Sequence, residues 1–484
     1  MRSPRTAMVA AAVVAATAAL SLSHVPTAAA ASAKAADDFN GDGYRDLVVT
    51  SGGHGENPLV TVVYGTSSGP GTRVQVITQN SSGIPGGTET GDEWAAATVA
   101  ADLDKDGYGD LVVSSPGEDV GTVENRGGLT VVWGGPAGLG AGTVFHSPYS
   151  NSATYGDQLG LDIQAGDFDG DGDQDLAALS NSPAGVALFK GPFTRTGKTQ
   201  AITSLGGSYG YLSAEELVAG NADGVGATDL YVIGRDLHVS EAGYVNAFLH
   251  RGGSGFLQSA GSLRIADDEG GSVGGSRKAA LADFDKDGYG DLAVGRGLEN
   301  TDKLRGSVVV HYGGSAGINT ARKPVKFTQD TAGVPGGAEN NDHFGQSVAA
   351  GDVNGDGYAD LAIGAPGEAL GTKAYAGTVT VLRGRAGGLS GTGAVSFSQD
   401  SSGIAGAAER QDYFAEAVRL ADYTRDGRAD LFVATNEQLG GEDRWGMVHL
   451  LKGSSAGTTA TGSKYWTLDT LKLRHRHLGE GFLH

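Results

Sequence analysis

Seven short stretches of this chain follow one pattern, and their regular recurrence restricts the fold more than any other feature. The clearest is Asp352-Val353-Asn354-Gly355-Asp356-Gly357-Tyr358-Ala359-Asp360, which runs directly into the apolar Leu361-Ala362-Ile363. Oxygen-bearing side chains fall at positions 1, 3, 5 and 9, with glycine at position 6. Strong copies start at Asp38, Asp102, Asp167, Asp283 and Asp352, and weaker copies at Asn221 and Asp422. Their first positions lie 54 to 70 residues apart, every copy has glycine at position 6, and every copy ends in Asp-Leu. Self-similarity at such a period marks a repeat architecture, and it overrides the three or so domains that 484 residues would otherwise suggest.

Hard oxygens at alternating positions of a tight loop suit Ca2+, which takes about six to eight oxygen ligands, and the carbonyl at position 7 is the natural backbone ligand. The spacing predicts five strong sites. These are Asp38, Asn40, Asp42, Tyr44 and Asp46; Asp102, Asp104, Asp106, Tyr108 and Asp110; Asp167, Asp169, Asp171, Asp173 and Asp175; Asp283, Asp285, Asp287, Tyr289 and Asp291; and Asp352, Asn354, Asp356, Tyr358 and Asp360. A sixth, weaker site is expected at Asp422, Thr424, Asp426, Arg428 and Asp430, where threonine replaces the carboxylate at position 3. The copy at Asn221 has an amide at position 1 and Val225 at position 5, so no metal is expected there. An EF-hand would carry glutamate at position 12. Here that position is Val49, Val113, Ala178, Val232, Val294, Ile363 or Val433, so a strand has already begun.

Each unit reads as four strands. In the sixth, residues 343–351 lead into the loop, 361–366 leave it, 377–382 alternate as a half-buried strand does, and 394–399 follow a Gly-Gly turn. Glycine makes up 82 of the residues, and no apolar stripe at helical spacing is sustained. Seven units of four strands predict an all-β, seven-bladed β-propeller spanning 37–484, a design that leaves only short edges. The first loop has no strand before it. The stretch Leu478-Gly479-Glu480-Gly481-Phe482 reads like such a strand and then stops, so it is expected to complete the first blade and close the ring by pairing N- and C-terminal segments.

In the sixth unit Phe344-Gly345 precedes the loop and Gly364-Ala365-Pro366 follows it. On these residues the chain resembles the FG-GAP repeat family, the seven-bladed propeller of integrin α subunits, over 37–484. Trp94-Ala95 and Phe414-Ala415 depart from the first half of the motif, and Gly295-Arg296-Gly297 from the second. The resemblance implies Ca2+ loops on one face and ligand or partner contacts on the opposite face.

Residues 1–33 read as a signal peptide, with Arg2 and Arg5 before the apolar Ala7–Leu22 and a small-residue cleavage region. The mature protein is therefore expected to be secreted and extracellular, without membrane insertion. The chain has no cysteine, so metal stands in for disulfides as a staple. The net charge of −21 belongs to the loops, and the absence of a basic patch disfavours nucleic acid. Asn80-Ser81-Ser82 fits a glycosylation sequon.

These features predict a calcium-stabilised binding or adhesion module with a protein or glycan ligand, and no enzyme. A lectin-like propeller is the alternative, and a calcium-dependent polysaccharide-active enzyme a more distant one. No catalytic residues are assigned: the G-x-S-x-G matches around Ser67, Ser315 and Ser455 all fall at one repeated hairpin turn. Stretches 80–89, 330–339 and 400–409 echo one another on the face opposite the metal loops. They read either as a binding rim or, preferably, as connectors whose Ile84, Val334 and Ile404 staple neighbouring blades. Candidate surface loops are Asp119–Gly127, Glu299–Leu304, Glu368–Tyr375 and Glu437–Trp445. Nothing in the sequence specifies an oligomeric state.

Overall fold

The Asp-Leu that ends each loop leads into a largely buried strand, and Asp110–Ser115 and Asp360–Ala365 are buried throughout. Three further antiparallel strands complete each sheet. The computed structural model describes residues 35–483, apart from 52–57, 147–155, 182–184, 206–211, 237–243, 267–277, 298–304 and 439–443. It contains seven four-stranded sheets arranged as a seven-bladed β-propeller. Blades and their loops are numbered 1 to 7 here, in the order of the loops starting at residues 38, 102, 167, 221, 283, 352 and 422.

Blade 2 is representative. Thr98–Ala101 is the inner strand, followed outward by Asp110–Ser115, Gly128–Val132 and Gly142–His146. In such a meander the first and third connections share one face, and the second connection shares the other face with the link to the next blade. The metal-type loop always leads into the second strand of its blade, so all seven loops ring one face.

Blade 1 draws its inner strand from the far end of the chain. Gly481–Phe482 pairs with Leu47–Ser51 in the register Val49↔Phe482 and Thr50↔Gly481, so the expected closure is present. A buried charge cluster fastens it. Asp37 is fully buried and accepts from Arg45 at 2.6 Å and from Arg419 of blade 7 at 3.1 Å. Arg419 also donates to the Leu483 carbonyl.

The apolar core is divided among the seams. Seven clusters of buried residues each bridge two adjacent blades, for example Phe284, Phe344 and Ile363 between blades 5 and 6. Position 2 of every loop (Phe39, Leu103, Phe168, Ala222, Phe284, Val353, Tyr423) is fully buried, each in a different one of these clusters. Alternation explains this: positions 1 and 3 face the loop interior, which turns position 2 into the seam. Backbone bonds tie loop to loop as well. The position-8 amides of Gly109, Thr228, Ala359 and Ala429 donate to the position-1 carbonyls of Asp38, Asp167, Asp283 and Asp352 in the preceding blades, at 2.7–3.1 Å.

Candidate metal centre

Two left-handed residues make the loop turn sharply. Position 6 has φ of 82–92° in six loops, where only glycine is unstrained. Position 4 has φ of 57–79° in all seven, including the non-glycines Lys105, Lys286 and Arg425. This second bend was not anticipated from the sequence. It points successive backbone amides inward, where the carboxylates meet them. Asp38 accepts from the amides of Asp42 and Gly43 at 3.1 and 2.7 Å, and Asp102, Asp283 and Asp422 accept from the same two positions. The position-5 carboxylates of Asp42, Asp106, Asp171, Asp287, Asp356 and Asp426 accept the position-7 amides of Tyr44, Tyr108, Asp173, Tyr289, Tyr358 and Arg428 at 2.9–3.1 Å.

Carboxylates from positions 1, 3 and 9 converge. Asp102, Asp104 and Asp110 offer oxygens within 4.8 Å of one another, as do Asp167, Asp169 and Asp175, and Asp283, Asp285 and Asp291. In loops 1 and 6 the third position is Asn40 or Asn354, whose side-chain amide bonds the position-5 carboxylate of Asp42 or Asp356 at 3.0 and 2.8 Å. The donor set is all oxygen, as a hard divalent cation requires. Asp104 Oδ1 and Asp285 Oδ1 are buried without a hydrogen-bond partner in the structure. An orphaned carboxylate oxygen inside a group of carboxylates costs free energy unless a cation completes it, so these residues fit calcium.

Position 9 has a second duty that the spacing alone did not reveal. In all seven blades this aspartate is 0–1% exposed. Its Oδ2 accepts the position-2 amide, and its Oδ1 accepts a glycine amide just beyond the third strand: Gly65, Gly134, Gly191, Gly252, Gly313, Gly384 or Gly453. The distances are 2.7–3.2 Å. Burial pushes these carboxyls up, to about 7 for Asp46 and Asp291 and about 8 for Asp110, against the amides that pull them down. The same two bonds form at Asp229 in loop 4, where Asn221 and Val225 stand at positions 1 and 5. The recurring glycine after each third strand was the available sequence signal.

Loop 4 differs from the others in its turn. Val225 is 62% exposed, and Gly226 is not left-handed. In loop 7 the Thr424 amide shares the Asp430 Oδ2 acceptor with Tyr423.

On the opposite face the three echoed stretches are built as connectors. Val334 and Ile404 are buried at the seams, and Ile84 packs against the cluster between blades 1 and 2. Gln79 Nε2 donates to Glu118 Oε2 of the next blade at 2.6 Å, and Gln329 and Gln399 bond Glu368 and Glu437 in the same way. Asp92, Asp342 and Asp412 are buried and accept the amides of Glu89, Glu339 and Glu409. Asp119–Gly127 and Glu368–Tyr375 lie in described loops, whereas Glu299–Leu304 and most of Glu437–Trp445 lie outside the described residues, as does the predicted signal peptide.

One group without a repeat counterpart was missed in the sequence. Asp162 and Glu216 reach across inner strands, Glu216 with Lys278 at a central channel of about 710 Å³, and burial pushes the two carboxyls up to about 6 and about 8 against the opposing pull of Lys278. Asp162 accepts the Leu217 amide at 2.7 Å, and Glu216 accepts the Ala279 amide at 2.6 Å. Each carboxylate therefore pins its blade to the next.

Family comparison agrees with this architecture. Residues 94–145 and 344–382 match the FG-GAP repeat, and residues 38–113 match the FG-GAP-like repeat. The chain carries FG-GAP repeats on a seven-bladed propeller. The name's first glycine now has a physical basis: Gly345 has φ of 92°, and a Cβ there would meet the Ser307 carbonyl at 2.4 Å. Ala95 and Ala415 hold the same left-handed conformation at φ of 63° and 72° without being glycine. The FG-GAP propeller is similar to integrin alpha-V of Gallus gallus, 29% identical over 232 residues, covering 45% of this chain and 21% of that protein. It is similar to the phosphatidylinositol-glycan-specific phospholipase D of Mus musculus, 31% identical over 170 residues, covering 34% and 19%. Integrin alpha-5 of Xenopus laevis is 28% identical over 228 residues, covering 45% and 21%. The FG-GAP propeller thus matches about a fifth of the length of each of these relatives.

Proposed function

We propose that the FG-GAP propeller is a calcium-stabilised binding module of the cell exterior, engaging a protein ligand on the face opposite its metal loops. The orphaned, buried Oδ1 atoms of Asp104 and Asp285 carry the calcium part. Positions 1, 3 and 9 would supply side-chain oxygens, with position 5 and the position-7 carbonyl completing the set in loops 1, 2, 3, 5 and 6, and more weakly in loop 7. Bound calcium would neutralise the like charge that each loop concentrates. Similarity to integrin alpha-V and integrin alpha-5 supports the adhesive part, as fold-level analogy.

Excess EDTA is expected to lower the melting temperature, because each occupied site adds RT ln(1 + [L]/Kd) to stability. Asp356→Ala is expected to lose one calcium equivalent by titration, while Asp223→Ala in loop 4 loses none. An unchanged melt in EDTA would remove calcium from the proposal.

Similarity to a phospholipase D motivates a second reading, in which the propeller accompanies or performs hydrolysis. Turnover of phosphatidylinositol-glycan or polysaccharide substrates by the purified chain would select it. Sugar binding on a glycan array without turnover would select the lectin reading. Mass measurement of exported protein, looking for loss of residues 1–33 and a glycan at Asn80, tests secretion and glycosylation.

A further inference from the structure

Wherever position 3 of a loop is aspartate, a basic side chain holds it. Arg195 Nε donates to Asp104 Oδ2 at 2.8 Å, Lys190 bonds Asp169 Oδ2, Arg322 Nη1 donates to Asp285 Oδ2 at 2.5 Å, and Arg251 Nε lies 3.4 Å from Asp223 Oδ2. Where position 3 is Asn40, Asn354 or Thr424, no basic side chain is paired with that side chain among the described residues. Basic residues still stand close by in those blades, but they turn elsewhere. Arg73 lies over the Tyr64 ring, Arg383 donates to the Ala456 carbonyl with its Nη1 3.9 Å from Oδ2 of the position-9 Asp360, and Arg425 lies over the Tyr44 ring. The pairing therefore follows the carboxylate.

The bases are themselves fixed. Arg195 lies 5.5 Å over the Trp133 ring and donates to Asp106 Oδ2 at 2.6 Å and the Gly134 carbonyl at 3.2 Å. Arg322 stacks 3.2 Å from the Tyr312 ring centroid and donates to the Gly387 carbonyl at 2.7 Å. In both loops the arginine engages Oδ2 and leaves Oδ1 as the orphaned atom. The geometry points to a division of labour within one carboxylate: one oxygen on a fixed cation, the other free for the metal.

We propose that Arg195, Lys190 and Arg322 are positioning residues that orient the third-position carboxylate toward the cation and cancel its added charge. A four-carboxylate loop at Asp102 or Asp283 with one such base then meets calcium with the same net charge as the three-carboxylate loop at Asp38, while the five-carboxylate loop at Asp167 is paired with both Lys190 and Lys105. Arg195 extends from blade 3 to loop 2, so the device also couples occupancy of one loop to the neighbouring blade. This inference rests on the calcium reading above.

Trp133, beside loop 2, allows a loop-specific test in the intact chain. Terbium would be titrated with luminescence excited through tryptophan, and calcium used as competitor. Arg195→Met is expected to raise the midpoint about tenfold, the usual cost of losing an outer-shell partner. Arg195→Lys should recover most of it. In an Asp104→Asn background, Arg195→Met should shift the midpoint threefold or less. A purely structural role would lower the metal-free melting temperature and leave the midpoint in place. An unmoved or tighter midpoint in Arg195→Met, or an equal shift in the Asp104→Asn background, would overturn the proposal. A parent chain whose terbium signal calcium does not displace would instead overturn the calcium reading itself.

Discussion

Gly427 and Gly226 occupy position 6 of two loops and answer to different constraints. Gly427 has φ of 82° and open space around its Cα, whereas Gly226 has the same open space without the left-handed backbone. Gly427→Ala is therefore expected to cost about 1–2 kcal/mol from conformation alone, and Gly226→Ala close to nothing. Thermal melts of the two variants would show no difference if the turn were relaxed. Asp229 makes the complementary point. It lies in the loop that carries Asn221 and Val225 at positions 1 and 5, yet Asp229→Ala leaves the amides of Ala222, Asp223 and Gly252 without this acceptor. The expected loss is about 3 kcal/mol, unaffected by calcium. At this scale the sequence was half legible. Spacing revealed the oxygen positions, because carboxylates crowded at alternate places in a tight turn repel one another unless a cation sits among them. It concealed the strained position 4, where lysine and arginine mask a left-handed bend, and the double acceptor at position 9, whose glycine donors lie about twenty residues away in sequence.

Between elements, the seams carry both the apolar core and the polar ties. The FG stretch was readable because an aromatic that must be buried and a glycine that must turn are both fixed by geometry. The polar ties were less so, since Gln79 and Glu118 are brought together only by the docking of two blades. Burial first, and Asp92 second, push Glu118 up to about 7, and Glu368 rises likewise beside Asp342. A carboxyl raised in the native state binds its proton more readily than in the unfolded chain. The stabilisation it lends is complete below its ordinary value of 4.5 and is lost as pH climbs through about 7. Glu118→Gln should therefore flatten the fall in melting temperature between about pH 5 and pH 8. An identical slope in the variant would count against this assignment.

For the molecule as a whole, repeat count, strand count and a strand-like stretch near residue 480 in the sequence foretold a closed ring, because a ring covers the faces of its first and last units with each other. The clasp of Asp37, Arg45 and Arg419 was hidden, since it joins residues from opposite ends of the chain. Arg419→Leu is expected to cost about 2–3 kcal/mol, because Asp37 stays buried with one partner removed. Chemical denaturation would reveal no such loss if the clasp were dispensable. The late arrival of Gly481–Phe482 has a consequence for synthesis. Leu47–Ser51 is the first strand made, and its inner edge stays bare until every other described strand has followed. A product that stops before Gly481 would keep six sound blades and present one sticky border to its neighbours. Self-association on loss of those few residues is thus the characteristic weakness of this design.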